Sequence, residues 1–106
     1  MNQKTFEKFL ARDGGCVHCG VVEEAVNHHR ANRGYGGSKL LDKPSNILVM
    51  CSELNGLMES DAGWAERARQ YGWKISKYAI PELEAVYYPL EDSWYYLDDL
   101  LNKTHI

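Results

Sequence analysis

Residues 46–51 read Asn-Ile-Leu-Val-Met-Cys, and this short run, NILVMC, decides the predicted fold. It follows a loop closed by Pro44, and an apolar run bounded by turn residues is typical of a buried strand. A second extended segment runs from Val21 or Val22 to His29, just before the loop. We expect the two segments to pair, because consecutive strands are usually neighbours in a sheet.

Helices are predicted on both sides of this strand pair. A first helix has Asn2 as its cap and stops at the glycines of residues 14–15. A second helical pattern begins near Glu53 and continues as one bent helix or as two helices. Asp61 can cap the later part, and Gly72 can stop it. The elements together predict an α+β fold.

The last third of the chain predicts further strands. Residues 73–78 have the composition of a strand, and residues 85–99, AVYYPLEDSWYYLDD, predict a β-hairpin that turns at residues 89–93. The aromatic side chains on both arms are more typical of a core than of a binding platform. A chain of 106 residues with 44% hydrophobic content is expected to form one domain, residues 1–106.

Charge is distributed unevenly along the chain. The formal net charge is −3, yet residues 30–43 carry four basic side chains and one acid. The local field of this loop suits phosphate, although the overall charge does not. No segment approaches the roughly 20 apolar residues that span a bilayer, and the start of the chain lacks the apolar run of a signal peptide. We therefore expect a cytoplasmic protein with no membrane partner.

The chain has three cysteines, an odd number that favours metal or redox chemistry in a reduced compartment over a disulfide scaffold. Cys16 and Cys19 form a Cys-x-x-Cys turn that brings two thiolates to one metal, and structural zinc needs four ligands. A second such pair would start at Cys51, but its other position is Leu54, and His18 lies inside the turn. The sequence leaves open a zinc site and a cluster of thiols that packs without metal.

Residues 27–38, NHHRANRGYGGS, place His28 and His29 side by side. Consecutive side chains on a strand point to opposite faces, so one ring must face solvent or a site. A site that hydrolyses phosphodiesters needs a base, a divalent cation and a group that holds the base. His29 can be the base, because imidazole titrates near neutral pH. His28 and the amide oxygen of Asn55 can hold the cation, leaving positions open for water and phosphate.

Each of these residues also has an ordinary explanation, since the histidines can lie on the surface and the asparagines can serve as caps. Glu59 lies four residues after Asn55, so it can add a ligand or be a solvated helix carboxylate. The neighbouring loop decides in favour of a site, because its glycines allow close approach and its cations can contact DNA phosphates. The predicted DNA-binding residues are Arg30, Arg33, Lys39 and Lys43.

Three segments carry a resemblance to a known family. RDGGCVHCG (residues 12–20), VNHHRANRGYGGS (26–38) and PSNILVMCSELNGLMES (44–60) resemble the HNH endonucleases in order and spacing, especially the small stand-alone phage type. The resemblance implies a ββα-metal core over about residues 12–60, with an N-terminal helix and a Cys knuckle. A helix and a C-terminal β-hairpin over about residues 61–106 would extend that core.

The family pattern also implies a role for each motif residue. The ion ligand falls on His28, the general base on His29 and the asparagine that braces the loop and orients the base on Asn46. The last motif residue is Asn55, where the family often has His, so the chain has an H-N-N motif. Relatives with a zinc knuckle have two Cys-x-x-Cys pairs, and here the second is incomplete at Leu54.

The resemblance implies a DNA endonuclease that depends on Mg²⁺, Mn²⁺ or another divalent cation. Such an enzyme hydrolyses phosphodiester bonds to leave a 5′-phosphate and a 3′-hydroxyl, and a single site implies nicking. The alternative is a catalytically inactive module of the same fold that binds DNA or serves a phage assembly such as the packaging machinery. DNA is the expected partner in both cases, with phage packaging or replication proteins as further partners.

Overall fold

The computed structural model describes residues 3–32 and 41–106 and shows an α+β fold. Within this described part there are three α-helices, a two-stranded antiparallel sheet and a three-stranded antiparallel sheet. The elements, in chain order, are α1 (Gln3–Asp13), β1 (Ala25–His29), β2 (Ile47–Cys51), α2 (Ser52–Ser60), α3 (Ala62–Gln70), β3 (Val86–Tyr88), β4 (Ser93–Leu97) and β5 (Lys103–His105).

Strand β2 lies at the centre of the packing, as its apolar sequence predicts. Leu48 and Met50 belong to the larger core, whereas Ile47 and Val49 pack with Phe9 of α1 in a smaller one. The alternation follows from the strand period of two, which sends successive side chains to opposite faces. Because both faces are covered, all four residues are fully buried.

The predicted pairing of β1 with β2 is confirmed, and it is antiparallel. His28 lies opposite Leu48, and His29 lies opposite Ile47. Directly paired residues share a face of the sheet. His28 therefore faces the larger core and α2, while His29 faces the side on which α1 packs.

Helices α2 and α3 are two helices rather than one bent helix. Asp61 separates them and caps α3, because its Oδ2 accepts a hydrogen bond of 2.9 Å from the backbone N–H of Trp64. Gly72 follows the end of α3 with a φ of +75°, and a Cβ at this position would lie 1.9 Å from the carbonyl oxygen of Ala85. The predicted cap and stop are therefore confirmed. Helix α1 ends before Gly14 as predicted, while its expected cap Asn2 lies outside the described residues.

The strand predicted over residues 73–78 is wrong. The backbone N–H groups of Trp73 and Lys74 both bond to the carbonyl of Ala68, so the segment begins as a continuation of the α3 terminus. Only Ile75 makes a bridge, in parallel with Ala31. The apolar side chain of Trp73, which made this segment resemble a strand, packs in the larger core.

The predicted C-terminal hairpin is confirmed as β3 and β4, and it has a third strand, β5, that the sequence pattern did not reveal. Val86, Tyr88 and Leu97 are buried in the larger core, as expected for this tail. Trp94 and Tyr96 of β4 remain partly exposed on the opposite face. None of the helices in the described part of the chain has the length and apolar character needed to cross a bilayer.

Candidate functional site

His28 and Asn55 meet where β1 faces the first half of α2. The Nδ1 atom of His28 lies 2.9 Å from the Oδ1 atom of Asn55, and its Nε2 atom lies 2.6 Å from the carbonyl oxygen of Trp73. The His28 side chain is buried, and only 3% of the residue is exposed. The structure therefore brings together the two residues that the sequence predicts as ion ligands.

The hydrogen bonds of His28 restrict its protonation. The Trp73 carbonyl can only accept, so Nε2 carries the ring hydrogen. In the neutral ring the lone pair of Nδ1 then faces the oxygen of Asn55, and this clash is relieved by a second ring proton, a rotated amide or a cation. Burial lowers the pKa of His28, with a smaller contribution from the Lys74 ammonium, and this disfavours the second proton.

The spacing of this pair fits a hard divalent cation. Two ligand atoms about 2.1 Å from one ion, at right angles to each other, are about 3.0 Å apart. The observed separation of 2.9 Å between Nδ1 of His28 and Oδ1 of Asn55 agrees with that value. Rotation of the Asn55 amide would let its Nδ2 donate to the same Nδ1 atom in place of a cation. The donor set therefore fits a divalent ion without requiring one for the fold.

Glu59 lies one turn after Asn55 on α2 and forms an ion pair with Lys74. Its Oε1 atom is 3.2 Å from the Nζ atom of Lys74, and about half of the Glu59 side chain is exposed. Both charges act on His28, since the Glu59 carboxylate raises its pKa and the Lys74 ammonium lowers it. Glu59 thus lies close enough to His28 for its charge to act on that ring, and it is paired with Lys74.

His29 lies on the other face of β1 and contacts a carboxylate. Its Nε2 atom is 2.8 Å from Oδ1 of Asp42, and 23% of the side chain is exposed. A carboxylate accepts hydrogen bonds, so the hydrogen of the neutral ring is on Nε2 and the lone pair is on Nδ1. Asp42 therefore holds His29 in the tautomer of a base, a role that the sequence analysis did not assign to it.

Asn46 braces the loop through hydrogen bonds to backbone atoms. Its Oδ1 accepts a hydrogen bond from the N–H of Ala31, and its Nδ2 donates to the carbonyls of Ala31 and Leu41. The side chain is fully buried and ties together the two ends of the loop. Asn46 therefore holds Leu41, the neighbour of the Asp42 that binds the His29 ring, and its role in orienting that ring stays a prediction.

Arg30 is not a DNA contact, which corrects the prediction for this residue. It is fully buried, and its guanidinium donates to four backbone carbonyls at 2.7–3.0 Å. Burial lowers the pKa of Arg30 to about 10, which leaves the group charged at neutral pH. The four carbonyls belong to Ser45, Gly72, Pro81 and Glu84.

Of the other three predicted DNA-binding residues, Lys43 is the one among the described residues. Arg33 and Lys39 lie outside the described residues. The Nζ atom of Lys43 is 4.0 Å from Oε1 of Glu82, and 35% of the Lys43 side chain is exposed. An ion pair at this separation near the surface contributes little, so Lys43 can exchange Glu82 for a phosphate.

Cys16, Cys19 and Cys51 form a cluster, as the sequence predicts. Their Sγ atoms all lie within 4.8 Å of one another, and no histidine, aspartate or glutamate ligand atom of the described residues joins them. His18 packs edge-on against the rings of Trp64 and Trp73 instead. Zinc–sulfur bonds of about 2.3 Å in a tetrahedron place sulfurs about 3.8 Å apart, so small side-chain shifts suffice for one ion.

The surroundings of Cys16 favour a thiolate. Burial raises the pKa of its thiol, but hydrogen bonds from the backbone of Cys19, Cys51 and His18 outweigh burial and leave that pKa below its ordinary value. Burial raises the pKa of Cys51, and the neighbouring cysteines raise it further. The ion that such a set suits is thiophilic, with three cysteine ligands and a fourth position for water.

Zinc bound at the three cysteines should stabilise the fold. We expect protein prepared without chelator to contain about one zinc per chain, and removal of that zinc to lower the melting temperature by about 5 °C or more. A domain of this size loses about 4–8 °C for each kcal/mol of stability, and metal-binding energy in small sites is folding energy. Elemental analysis and thermal unfolding with and without chelator measure both quantities.

The matched control is Cys51→Ser, which removes one ligand and should no longer respond to chelator. Absence of zinc, together with equal melting temperatures in the presence and absence of chelator, would instead support three thiols that pack without metal.

Three site residues were missed by the sequence analysis. Asp42 had a local signal, because it is the single acid among the cations of residues 30–43. Trp73, which binds His28 through its carbonyl, and Lys74, which pairs with Glu59, had none. They lie 45 and 15 residues from their partners, and only the fold brings them together.

No family model, curated protein or solved structure matched this chain. The resemblance to a known family therefore depends on the three sequence segments alone.

Proposed function

We propose that this chain is a divalent-metal-dependent DNA endonuclease with a ββα-metal core of the HNH type, acting in the cytoplasm. It hydrolyses phosphodiester bonds and leaves a 5′-phosphate and a 3′-hydroxyl. The observation that carries the proposal is the facing pair of lone-pair atoms, Nδ1 of His28 and Oδ1 of Asn55, separated by 2.9 Å. The pair lies one residue from a histidine whose tautomer is set by a carboxylate.

His28, Asn55 and Glu59 are the residues that would hold the cation. A divalent ion there would neutralise the charge that develops on the leaving 3′-oxygen. The Trp73 carbonyl supports this role, because it fixes the ring of His28 with Nδ1 toward Asn55. A second hydrogen bond of this kind commonly orients a metal-binding histidine.

His29 is the proposed general base. Its Nδ1 carries the free lone pair while Nε2 donates to Asp42, so the ring can take a proton from water through Nδ1. Asp42 then stabilises the imidazolium that forms, as a buried or half-buried carboxylate does for a catalytic histidine. The water that loses the proton attacks phosphorus as the bond from phosphorus to the 3′-oxygen breaks, and that oxygen takes a proton from solvent water to give the 3′-hydroxyl.

In this proposal the positions of the two histidines limit where the cleaved phosphate would lie. His28 and His29 face opposite sides of β1, and they are the last two residues of that strand. A phosphate that binds the ion held by His28 and also lies near His29 would be at the end of β1, near the loop that Asn46 ties together. The loop carries Arg33 and Lys39, which keep their proposed roles as phosphate contacts. One base and one ion site make nicking the proposed outcome of a single encounter.

An inactive module is the second candidate, and a specific observation favours it. Each proposed catalytic or ligand side chain has a partner within the protein, including the pairs His29–Asp42 and Glu59–Lys74. The C-terminal part also exposes Leu90, Leu100 and Ile106 among acidic residues. Such a surface suits docking to another protein, for example in a phage packaging or replication assembly.

Incubation with supercoiled plasmid tests the proposed function. We expect nicked circles to form first with Mg²⁺ or Mn²⁺ and no product to form with chelator. DNA ligase should reclose the nicked product, because it joins only a 5′-phosphate to a 3′-hydroxyl. Retarded DNA in a gel without metal-dependent cleavage would contradict the endonuclease and favour the inactive module.

A further inference from the structure

A cavity with two cations on its wall lies between the end of α3 and the segment that follows it. Its volume is about 420 Å³, and it is lined by Arg69, Lys74, Ile75, Ser76, Ala79 and Glu84. Two basic residues and a serine therefore border one open space. The single carboxylate, Glu84, belongs to an exposed residue, so solvent screens its charge.

Lys74 borders both this cavity and the proposed ion site. Its Nζ lies 3.2 Å from Glu59 Oε1, and 20% of its side chain is exposed. The ammonium is also close enough to His28 to act on that ring electrostatically. The positive charge of Lys74 therefore lies close to the position that a divalent ion would take.

The two positive charges compete for the same carboxylate. If His28, Asn55 and Glu59 take up a divalent ion, the ion repels the Lys74 ammonium and removes its partner. A lysine has a long flexible stem, and the cavity beside it is open to receive the ammonium. Among the described residues that line the cavity, Glu84 is the one anion, so a bound phosphate would give the displaced ammonium a new partner.

We propose that this cavity binds a backbone phosphate of DNA, adjacent to the one that is cleaved, and that Lys74 turns from Glu59 to this phosphate when the divalent ion binds. The turn of Lys74 rests on the proposed function, whereas phosphate binding by the cavity does not. The site reads no base, so it positions the duplex without selecting a sequence.

Arg69 is the second phosphate ligand in this proposal. It pairs with Glu66 at 3.1 Å, and more than half of each side chain is exposed. Surface pairs of this kind contribute little, so Arg69 can bind a phosphate instead. Ser76 accepts a hydrogen bond from the backbone of Tyr78 through Oγ, and its hydroxyl hydrogen can be donated to a phosphate oxygen.

The test uses the full-length variants Lys74→Met and Arg69→Gln, with Lys77→Met as the matched control. Lys77 lies over the ring of Tyr78 and does not line the cavity. Calorimetric titration with Mn²⁺ alone measures the affinity of each variant for a divalent ion. Lys74→Met should bind Mn²⁺ on the order of tenfold more tightly, because the competing charge is gone. Arg69→Gln and Lys77→Met should bind it like the unaltered protein.

Binding to a short DNA duplex over a range of salt concentrations measures the number of phosphate contacts. Every variant also carries His29→Ala, which suppresses cleavage. Each phosphate contact contributes about 0.9 to the slope of log affinity against log salt. Arg69→Gln should lower that slope by about 1 with or without Mg²⁺. Lys74→Met should lower it by about 1 with Mg²⁺ and leave it unchanged in chelator, where Lys74 stays on Glu59.

The possible failures can be told apart. Unchanged slopes for both variants in Mg²⁺ would overturn the phosphate site, and would leave metal-dependent plasmid cleavage untouched. Unchanged or weaker Mn²⁺ binding by Lys74→Met would overturn the turn of Lys74. If no variant binds Mn²⁺ but Arg69→Gln still lowers the slope, the proposed endonuclease fails and the phosphate site stands.

Discussion

Replacing His29 by alanine is expected to lower the rate of plasmid nicking on the order of a hundredfold or more, with Mn²⁺ binding unchanged. The size of the loss follows from general base catalysis, which contributes about 10²–10⁴-fold in enzymes. Metal binding is spared because the proposed ion ligands are His28, Asn55 and Glu59 on the other face of β1. Nicking rates and calorimetric titration with Mn²⁺ are the two measurements.

Two further variants sharpen this experiment. Asp42→Asn keeps the shape of the side chain but no longer holds the His29 ring through a charged oxygen, so nicking should fall by about 10–100-fold. His105→Ala is the matched control, because this exposed histidine packs against Tyr95 in the C-terminal sheet and should leave the rate unchanged. Equal nicking by His29→Ala and the unaltered protein would remove His29 from the mechanism.

Replacing Arg30 by leucine is expected to lower the free energy of unfolding by about 3–5 kcal/mol. The substitution removes a buried charged group and takes one donor from each of four backbone carbonyls, of which that of Pro81 still accepts from the backbone N–H of Glu84. Each unsatisfied buried acceptor costs about 1–3 kcal/mol, and part of that cost is relieved by relaxation. Because domains of this kind are stable by only about 5–15 kcal/mol, urea unfolding should be measured in the cold.

Two comparisons show whether this loss comes from the hydrogen bonds of Arg30. Arg30→Lys keeps the positive charge, but one ammonium cannot reach carbonyls that surround a planar guanidinium, so it should also be strongly destabilising. Arg69→Gln changes an exposed arginine and should stay within about 0.5 kcal/mol of the unaltered protein. A loss below about 1 kcal/mol for Arg30→Leu would mean that water satisfies the four carbonyls.

The buried pair of Arg12 and Asp13 shows a similar arrangement beside β2. Arg12 donates to both oxygens of Asp13 and also binds the carbonyls of Pro44 and Ile47. Asp13 in turn accepts hydrogen bonds from the Tyr88 hydroxyl and from the backbone of Val49. These two arginines explain why basic residues near the motif segments are not all available to DNA.

Local sequence patterns predicted the elements whose hydrogen bonds and burial are local. The apolar run of β2, the cap Asp61, the stop Gly72 and the hairpin at β3 and β4 follow from strand periodicity and turn chemistry. The alternation of a strand also predicted that His28 and His29 would face opposite sides. Residues 73–78 were predicted wrongly as a strand. Their β-like composition reflects packing in the core, whereas the backbone at the start of the segment bonds to the end of α3.

The sequence by itself determined which chemical groups are present and how they alternate along β1, β2 and α2. It could place the imidazole of His28 and the amide of Asn55 on facing elements, because a strand and the next helix have fixed periods. Only the tertiary structure decided which charges are available. Arg30 is buried and bonded to backbone carbonyls, one of them at residue 84, and Lys74 is paired with Glu59. Burial and pairing of this kind depend on segments that meet only after folding.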